Sequence, residues 1–316
     1  MSFDLSATAR KRIAVIGAGI SGLGAAHMLA DQHNVTLIEA EPRLGGHART
    51  LIAGKRGDQP VDTGFIVFNE PNYPHLTALF ERLGVPRAKS DMSFGASIGG
   101  GWLEYGLASY NAIFAQRANL ARPAFLRMIR DIVTFNKQAE AAARPEMTIG
   151  ELIDKLRLGR WFTDYYLTPF SGAIWSTPVD RILDFPAKAM MDFFRNHALL
   201  DYEGQHQWFT VEGGSIEYVR RVEAALRGAG VEIRLASPVA AVRRSADGVD
   251  VRCHGGEWES FDEVIFATHT DQALALLSDA GPEEHADLGA IGYQANDVVL
   301  HADASVMPHR KLCWSS

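Results

Sequence analysis

The spacing of apolar and polar positions changes several times along the chain, and each change predicts an element. Lys11 to Ile16 is a short apolar run entered through basic residues, the pattern of a buried strand. The run breaks at Gly17-Ala-Gly19-Ile20-Ser21-Gly22, and apolar residues then continue at helical spacing from about Ile20 to Ala30. Val35–Ile38 is a second apolar run, closed by Glu39. His75–Leu83 reads as an amphipathic helix stopped at Gly84. Ser93–Ile98 and Trp102–Tyr105 flank three glycines and read as a hairpin. Helical patterns dominate from Leu107 to about Asn196, punctuated by prolines at 123, 145, 169, 178 and 186. Period-two alternation returns at Val231–Leu235, Val239–Arg243 and Val249–Cys253. Asp297–His301 reads as a further strand, one that needs antiparallel neighbours. Residues 1–10 read as a loose tail.

The first strand, turn and helix carry the most specific chemistry. Gly17 lets the chain turn sharply out of the strand. Gly19 has no side chain, so a pyrophosphate can approach the backbone, and Gly22 lets the helix pack close to the strand. The first helical residues, Ile20 and Ser21, present backbone N–H groups and the positive end of the helix dipole to those phosphates. Glu39, 22 residues after Gly17, is placed to accept hydrogen bonds from both hydroxyls of an adenosine ribose. It would repel a 2′-phosphate, which argues against NADP. A signal peptide is the competing reading of Arg10-Lys11-Arg12 and the apolar stretch behind it. Glycines at turn spacing break such a segment, and Glu39 completes a different pattern.

NAD and FAD share the ADP half, so the loop alone does not separate them. The next segment, Glu39-Ala-Glu-Pro-Arg43-Leu-Gly45-Gly46-His47, resembles the extended fingerprint of the flavin-dependent amine oxidase, phytoene desaturase and protoporphyrinogen oxidase superfamily. Val61-Asp62-Thr63-Gly64-Phe65 resembles the same superfamily's next element, whose backbone passes near the flavin ring. Thr210 to Tyr218, with Gly213-Gly214, looks like its glycine-rich helix entry. Ser237-Pro238-Val239 looks like the strand whose valine backbone contacts adenine, and Phe261–Thr268 is similar to the strand returning to the cofactor domain. Within the superfamily the chain looks closest to predicted bacterial NAD/FAD-binding oxidoreductases. The resemblance implies an α/β protein: a three-layer, Rossmann-like FAD-binding domain with a parallel sheet, built from residues 10–90 and 206–272. An inserted α+β substrate domain would take 91–205 and 273–316. It also implies further substrate-domain strands and a final cofactor segment beyond residue 316.

The implied cofactor is FAD, held by Gly17, Gly19, Ile20, Ser21, Gly22, Glu39, Arg43, Gly45, Gly46, His47, Gly64, Phe65 and Val239. Arg43 either contacts charge on the cofactor or ties its own loop to a nearby carbonyl. At His47 many relatives carry arginine; histidine supplies a weaker, pH-dependent charge or a single neutral hydrogen bond. Asp62 is either a ligand or a turn-forming side chain. The activity implied is hydride transfer from an organic substrate, an amine or a lipid, to flavin. The alternatives are a redox-neutral mutase or isomerase, an NAD-dependent dehydrogenase using the amino-terminal loop, and a non-catalytic cofactor binder.

Composition narrows this only slightly. The chain has 316 residues, 47% hydrophobic and 22% charged, with net charge −7 and no long basic run, so nucleic acid is not an expected partner. Cys253 and Cys313 lie far apart and fit neither a metal nor a dithiol motif, which suits a reducing cytoplasm. No catalytic acid–base motif is recognisable. His269, just past the returning strand, is a cofactor neighbour or an ordinary structural histidine. Tyr166, Trp175, Trp208 and Phe209 either line an apolar cavity or pack the core. Gln116–Asp131 carries Arg117, Arg122, Arg127 and Arg130 among apolar residues. Such a segment can lie on an anionic membrane surface, but it also suits a solvated helix packing one side on the core.

Overall fold

A computed structural model describes residues 9–175, 179–200, 205–293, 295 and 297–315. Most of the tail expected over residues 1–10, and Pro178, lie outside the described residues. The chain divides into two compact units. The first takes the described residues through Ile66, His75–Ala88 and Thr210–Leu300; the second takes Val67–Pro74, Lys89–Phe209 and the residues from His301 onward.

The first unit is built on a parallel sheet. Strand β1 (Arg12–Ile16) leads through the glycine turn into helix α1 (Ile20–Leu29) and strand β2 (Asn34–Ile38). Helix α2 (Ile216–Gly228) precedes β3 (Glu232–Arg234), and β4 (Glu263–Phe266) completes the sheet in the order β3-β2-β1-β4. Every pairing is parallel, with Ile13 opposite Val35 and Glu263. Such a sheet must be covered on both faces, which is why its strands are near-continuous apolar runs. Residues alternate across the sheet. Ala14, Ile16 and Ile38 pack with Val239, Val242, Val251 and Phe261 of an antiparallel meander formed by Val239–Ser245, Gly248–Cys253 and Trp258–Phe261. Helix α1 packs against β1, β2 and α2. Meander, parallel sheet and helices form the three expected layers.

The expected break at residue 272 moves. Residues 273–300 belong to the first unit, because the turn after helix Thr270–Leu276 is tied to the meander. Ser278 N donates to the Val242 carbonyl at 2.9 Å, Arg244 N donates to Asp279 Oδ2 at 2.9 Å, and the Arg244 guanidinium pairs with Asp279 and Glu284. Asp297–His301 is not a strand. Val298 and Val299 are 70% and 75% exposed, and an isolated extended segment gains no ladder hydrogen bonds.

The second unit is mainly helical around the hairpin Gly95–Ile98/Leu103–Gly106. Its longest helix, Pro123–Ala142, buries Phe125, Met128, Ile132 and Phe135 in a core shared with Ile149, Phe162, Met190 and Phe194. The helical segment expected over Gln116–Asp131 is in fact split. Arg117–Ala121 forms a 3₁₀ turn and the α-helix restarts at Pro123. Proline cannot continue a helix by donating backward but is well suited to a first turn. A second proline has a long-range consequence. Pro169 lacks the N–H that would reach the Tyr165 carbonyl, the helix opens into a π turn over Thr163–Leu167, and the hydroxyl of the buried Tyr105 donates to that carbonyl. Tyr166 is buried in this core and Trp175 packs on it. Trp208 is buried, and Phe209 pairs with Phe68 across a short antiparallel ladder.

Candidate functional site

The glycine turn after β1 sits at the carboxyl end of the parallel sheet. Gly17 adopts φ +97° and donates its N–H to the Ile38 carbonyl at 2.8 Å. A Cβ there would meet the Ala267 carbonyl oxygen at 2.8 Å, and a Cβ on Gly22 would fall 1.8 Å from the Gly17 oxygen. These two glycines are therefore required by the protein's own packing. Gly19 is different. Its φ is an ordinary −69°, and a Cβ on it would meet nothing within 4 Å. Gly19 is the N-cap of α1 and supplies no capping side chain. Ile20 and Ser21 beside it are exposed, so the start of α1 opens onto free space.

Glu39 closes β2 and turns its carboxylate back toward the loop. Oε2 accepts the Ala18 N–H at 2.6 Å and Oε1 accepts the Glu41 N–H at 2.9 Å. Two amides leave about half of the acceptor capacity of an ionised carboxylate, which is roughly four lone pairs. Its backbone is fixed from both sides, Glu39 N donating to the Arg234 carbonyl and Ser237 N donating to the Glu39 carbonyl, each at 2.9 Å.

The following loop is seated directly on the glycine turn. Gly45 N donates to the Ala18 carbonyl at 2.9 Å, and a Cβ on Gly46 would lie 2.9 Å from the Gly19 Cα. Both glycines have positive φ, +106° and +55°. Of its two expected uses, Arg43 makes the structural one, donating to the Gly46 carbonyl at 2.9 Å. Gly64 backs onto the same loop, since a Cβ there would fall 1.9 Å from the His47 carbonyl oxygen. The exposed His47 ring lies 5.8 Å from that of His269, nearly parallel to it, and His269 stacks on Tyr293 at 4.2 Å. Tyr293 carries no local sequence signal, because only the path of the chain after helix Thr270–Leu276 brings it to His269.

Two expected residues do something else with their side chains. Val239 is buried in the core beneath the sheet, leaving only its backbone available to a ligand. Phe65 packs edge-on against Tyr218 at 6.3 Å. Asp62 is neither an exposed ligand nor a local turn residue. Its carboxylate accepts Ser215 N at 2.9 and 3.0 Å, Ser215 Oγ at 2.7 Å and Thr50 Oγ1 at 2.5 Å, while Thr50 Oγ1 accepts Ile216 N at 3.0 Å. Together they cap α2. Burial, with the Asp62 charge adding to it, pushes the nearby Tyr218 hydroxyl up to about 12.

Residues 20–309 match the family described as flavin containing amine oxidoreductase. A local stretch of 55 residues is 49% identical to an L-amino-acid oxidase of Bothrops pauloensis, covering 17% of this chain and 11% of the oxidase. Among solved structures, cyclohexylamine oxidase from Brevibacterium oxydans IH-35A superposes with TM-score 0.66 at 20% identity, over 89% of this chain and 63% of that one. A fatty acid isomerase from P. acnes that produces CLA superposes with TM-score 0.58 at 14% identity, over 88% and 63%. The chain thus spans about 63% of the length of these structures.

Proposed function

The chain belongs to the family of flavin-containing amine oxidoreductases, whose cofactor is FAD, and on that footing we propose that it is part of an FAD-dependent oxidoreductase acting on an amine or lipid. The observation that carries the reading is the open space over Gly19. The other loop glycines are accounted for by contacts inside the protein, whereas Gly19 is not. A glycine that the fold does not need, at a helix N-terminus beside a half-satisfied carboxylate, is what a dinucleotide site requires.

In this reading Gly19, Ile20 and Ser21 hold the pyrophosphate through backbone N–H groups. The unused lone pairs of Glu39 accept the ribose hydroxyls. The Gly45-Gly46-His47 turn, kept in place by Arg43, covers the phosphates, and Gly64 and Phe65 carry the chain onward toward the ring. The Val239 backbone faces the adenine. FAD supplies the acceptor for a hydride, from a C–H bond next to nitrogen or from an activated carbon chain, and the protein supplies binding, orientation and exclusion of water.

The first test is an absorption spectrum of the full-length protein, before and after adding FAD. A flavin band at about 450 nm is expected; its absence after addition refutes the assignment. Candidate amines and fatty acids then separate the chemistries. Bleaching under anaerobic conditions identifies an oxidase or dehydrogenase, and turnover without net bleaching identifies an isomerase. Glu39→Lys is expected to weaken FAD binding, and unchanged affinity would count against the ribose contact.

A further inference from the structure

Residues 102–130 of the second unit carry an unusual charge distribution for an acidic chain. Between Glu104 and Asp131 there is no carboxylate, while Arg117, Arg122, Arg127 and Arg130 all fall in that interval. The two bounding carboxylates are themselves buried, at 0% and 3% exposure. Glu104 is held by Arg310 and the His309 N–H, and Asp131 accepts the Gly159 N–H at 2.8 Å. Among the described residues, Arg117 donates to neutral oxygens, the Phe114 carbonyl and Asn111 Oδ1, and Arg122 does the same with the Trp102 carbonyl and Asn119 Oδ1. Arg127 and Arg130 share the single Asp131 carboxylate at 3.6 and 3.5 Å. Among the described residues, four guanidiniums against one carboxylate leave three positive charges in excess, on a chain whose net charge is −7.

Exposed large apolar side chains accompany these arginines, Leu120 and Leu126 between them in the chain and Trp102 and Tyr110 before them. Tyr110 is 87% exposed, Leu120 55%, Trp102 46% and Leu126 44%. Leu126 is not a core residue displaced outward, since Phe125, Met128 and Ile132 already fill the inner face of its helix. Nor do the four side chains form the contiguous apolar centre of a protein–protein interface. Two of them are Trp and Tyr, the residues favoured at the water–lipid boundary; Trp102 rests on Trp161 and Tyr165 at 5.6 and 5.8 Å, with the Arg122 guanidinium 5.3 Å from its ring centre.

We infer that this segment, from Trp102 to Arg130, docks on an anionic lipid surface. The arginines meet the headgroup phosphates, and Trp102, Tyr110, Leu120 and Leu126 enter the boundary layer. The inference is independent of the flavin assignment, although the two together suit a substrate drawn from the membrane.

The test is co-sedimentation of the full-length protein with vesicles of phosphatidylcholine alone, or with a quarter of the lipid replaced by phosphatidylglycerol. Binding is expected only to the anionic vesicles, with release at high salt. At about fivefold per basic residue near the surface, Arg117→Gln/Arg127→Gln/Arg130→Gln should lower partitioning roughly 100-fold. A second variant, Arg117→Gln/Leu120→Ser, lies away from Asp131 and keeps the test valid if the first fails to fold. Circular dichroism checks both. Equal binding to neutral vesicles, no binding to anionic ones, or full binding by a folded variant overturns the inference. So does arginine-dependent capture of an acidic protein without vesicle binding. An intact flavin band without vesicle binding defeats the docking alone; vesicle binding without a flavin band defeats the cofactor assignment alone.

Discussion

Replacing Gly19 and Gly22 separately by alanine distinguishes a glycine kept for a ligand from one kept for the fold. At Gly22 the added carbon would fall 1.8 Å from the Gly17 oxygen. Helix or strand must move by more than an ångström, so Gly22→Ala should destabilise the apoprotein by at least the ~1–3 kcal/mol typical of an overpacked core. At Gly19 the added carbon meets no protein atom within 4 Å and φ is −69°. Alanine is the poorer N-cap by about 0.5–1 kcal/mol, and its smaller unfolded-state entropy returns about 0.4–1 kcal/mol. The apoprotein should therefore melt within a few degrees of the parent. FAD affinity should behave otherwise. A methyl group between the backbone and a phosphate removes at least one charge-assisted hydrogen bond, worth about 1.5–3 kcal/mol, which corresponds to a roughly 10- to 150-fold rise in Kd. Thermal melts of the apoprotein and a flavin-fluorescence titration measure the two quantities. If Gly19→Ala binds FAD as the parent does, the pyrophosphate does not lie over Gly19. If it melts as low as Gly22→Ala, Gly19 is a packing residue and the main support for the site is lost.

Two further outcomes test the frame around the site. Asp62→Ala leaves the buried Ser215 N–H and the Thr50 hydroxyl without their acceptor. It should cost about 2–4 kcal/mol in urea unfolding, and a midpoint unchanged from the parent would show that α2 is not held by this cap. Tyr218, pushed up to about 12 from an ordinary 10, binds its proton more tightly in the folded state. Its contribution is complete below about pH 10 and is lost as pH rises toward 12, roughly 2–3 kcal/mol in all. Tyr218→Phe should flatten the alkaline fall in stability over that window, and an unchanged slope would refute the link.

Local patterning was enough to place much of the first unit. The turn after Ile16 needs a residue tolerant of positive φ, the helix start needs small residues, and an all-parallel sheet needs uninterrupted apolar strands. Each of these demands falls on consecutive residues, so it is written in consecutive letters. Glu39 was legible for the same reason, being the last residue of a short apolar run at a fixed interval from the loop. The alternation of Val239–Arg243 and Val249–Cys253 likewise marked the meander, because a strand with one face on a core must repeat every second residue.

Only the tertiary structure decided what pairs across distance. Asp62 reaches Ser215, 153 positions away, and no local rule distinguishes such a cap from a turn aspartate. The two readings of Arg43 differed by which acceptor lay within its reach, and the fold supplied the Gly46 carbonyl. Pro169 marked a break in a helix, but that the freed carbonyl would receive the Tyr105 hydroxyl depended on packing. Residues 273–289 were expected in the substrate domain, and the Arg244 contacts with Asp279 and Glu284 tie them to the first unit instead. Asp297–His301 had the composition of a strand but no strand partner among the described residues. Strand propensity expresses fit to an adjacent strand and a half-buried surface, so composition by itself cannot create the ladder.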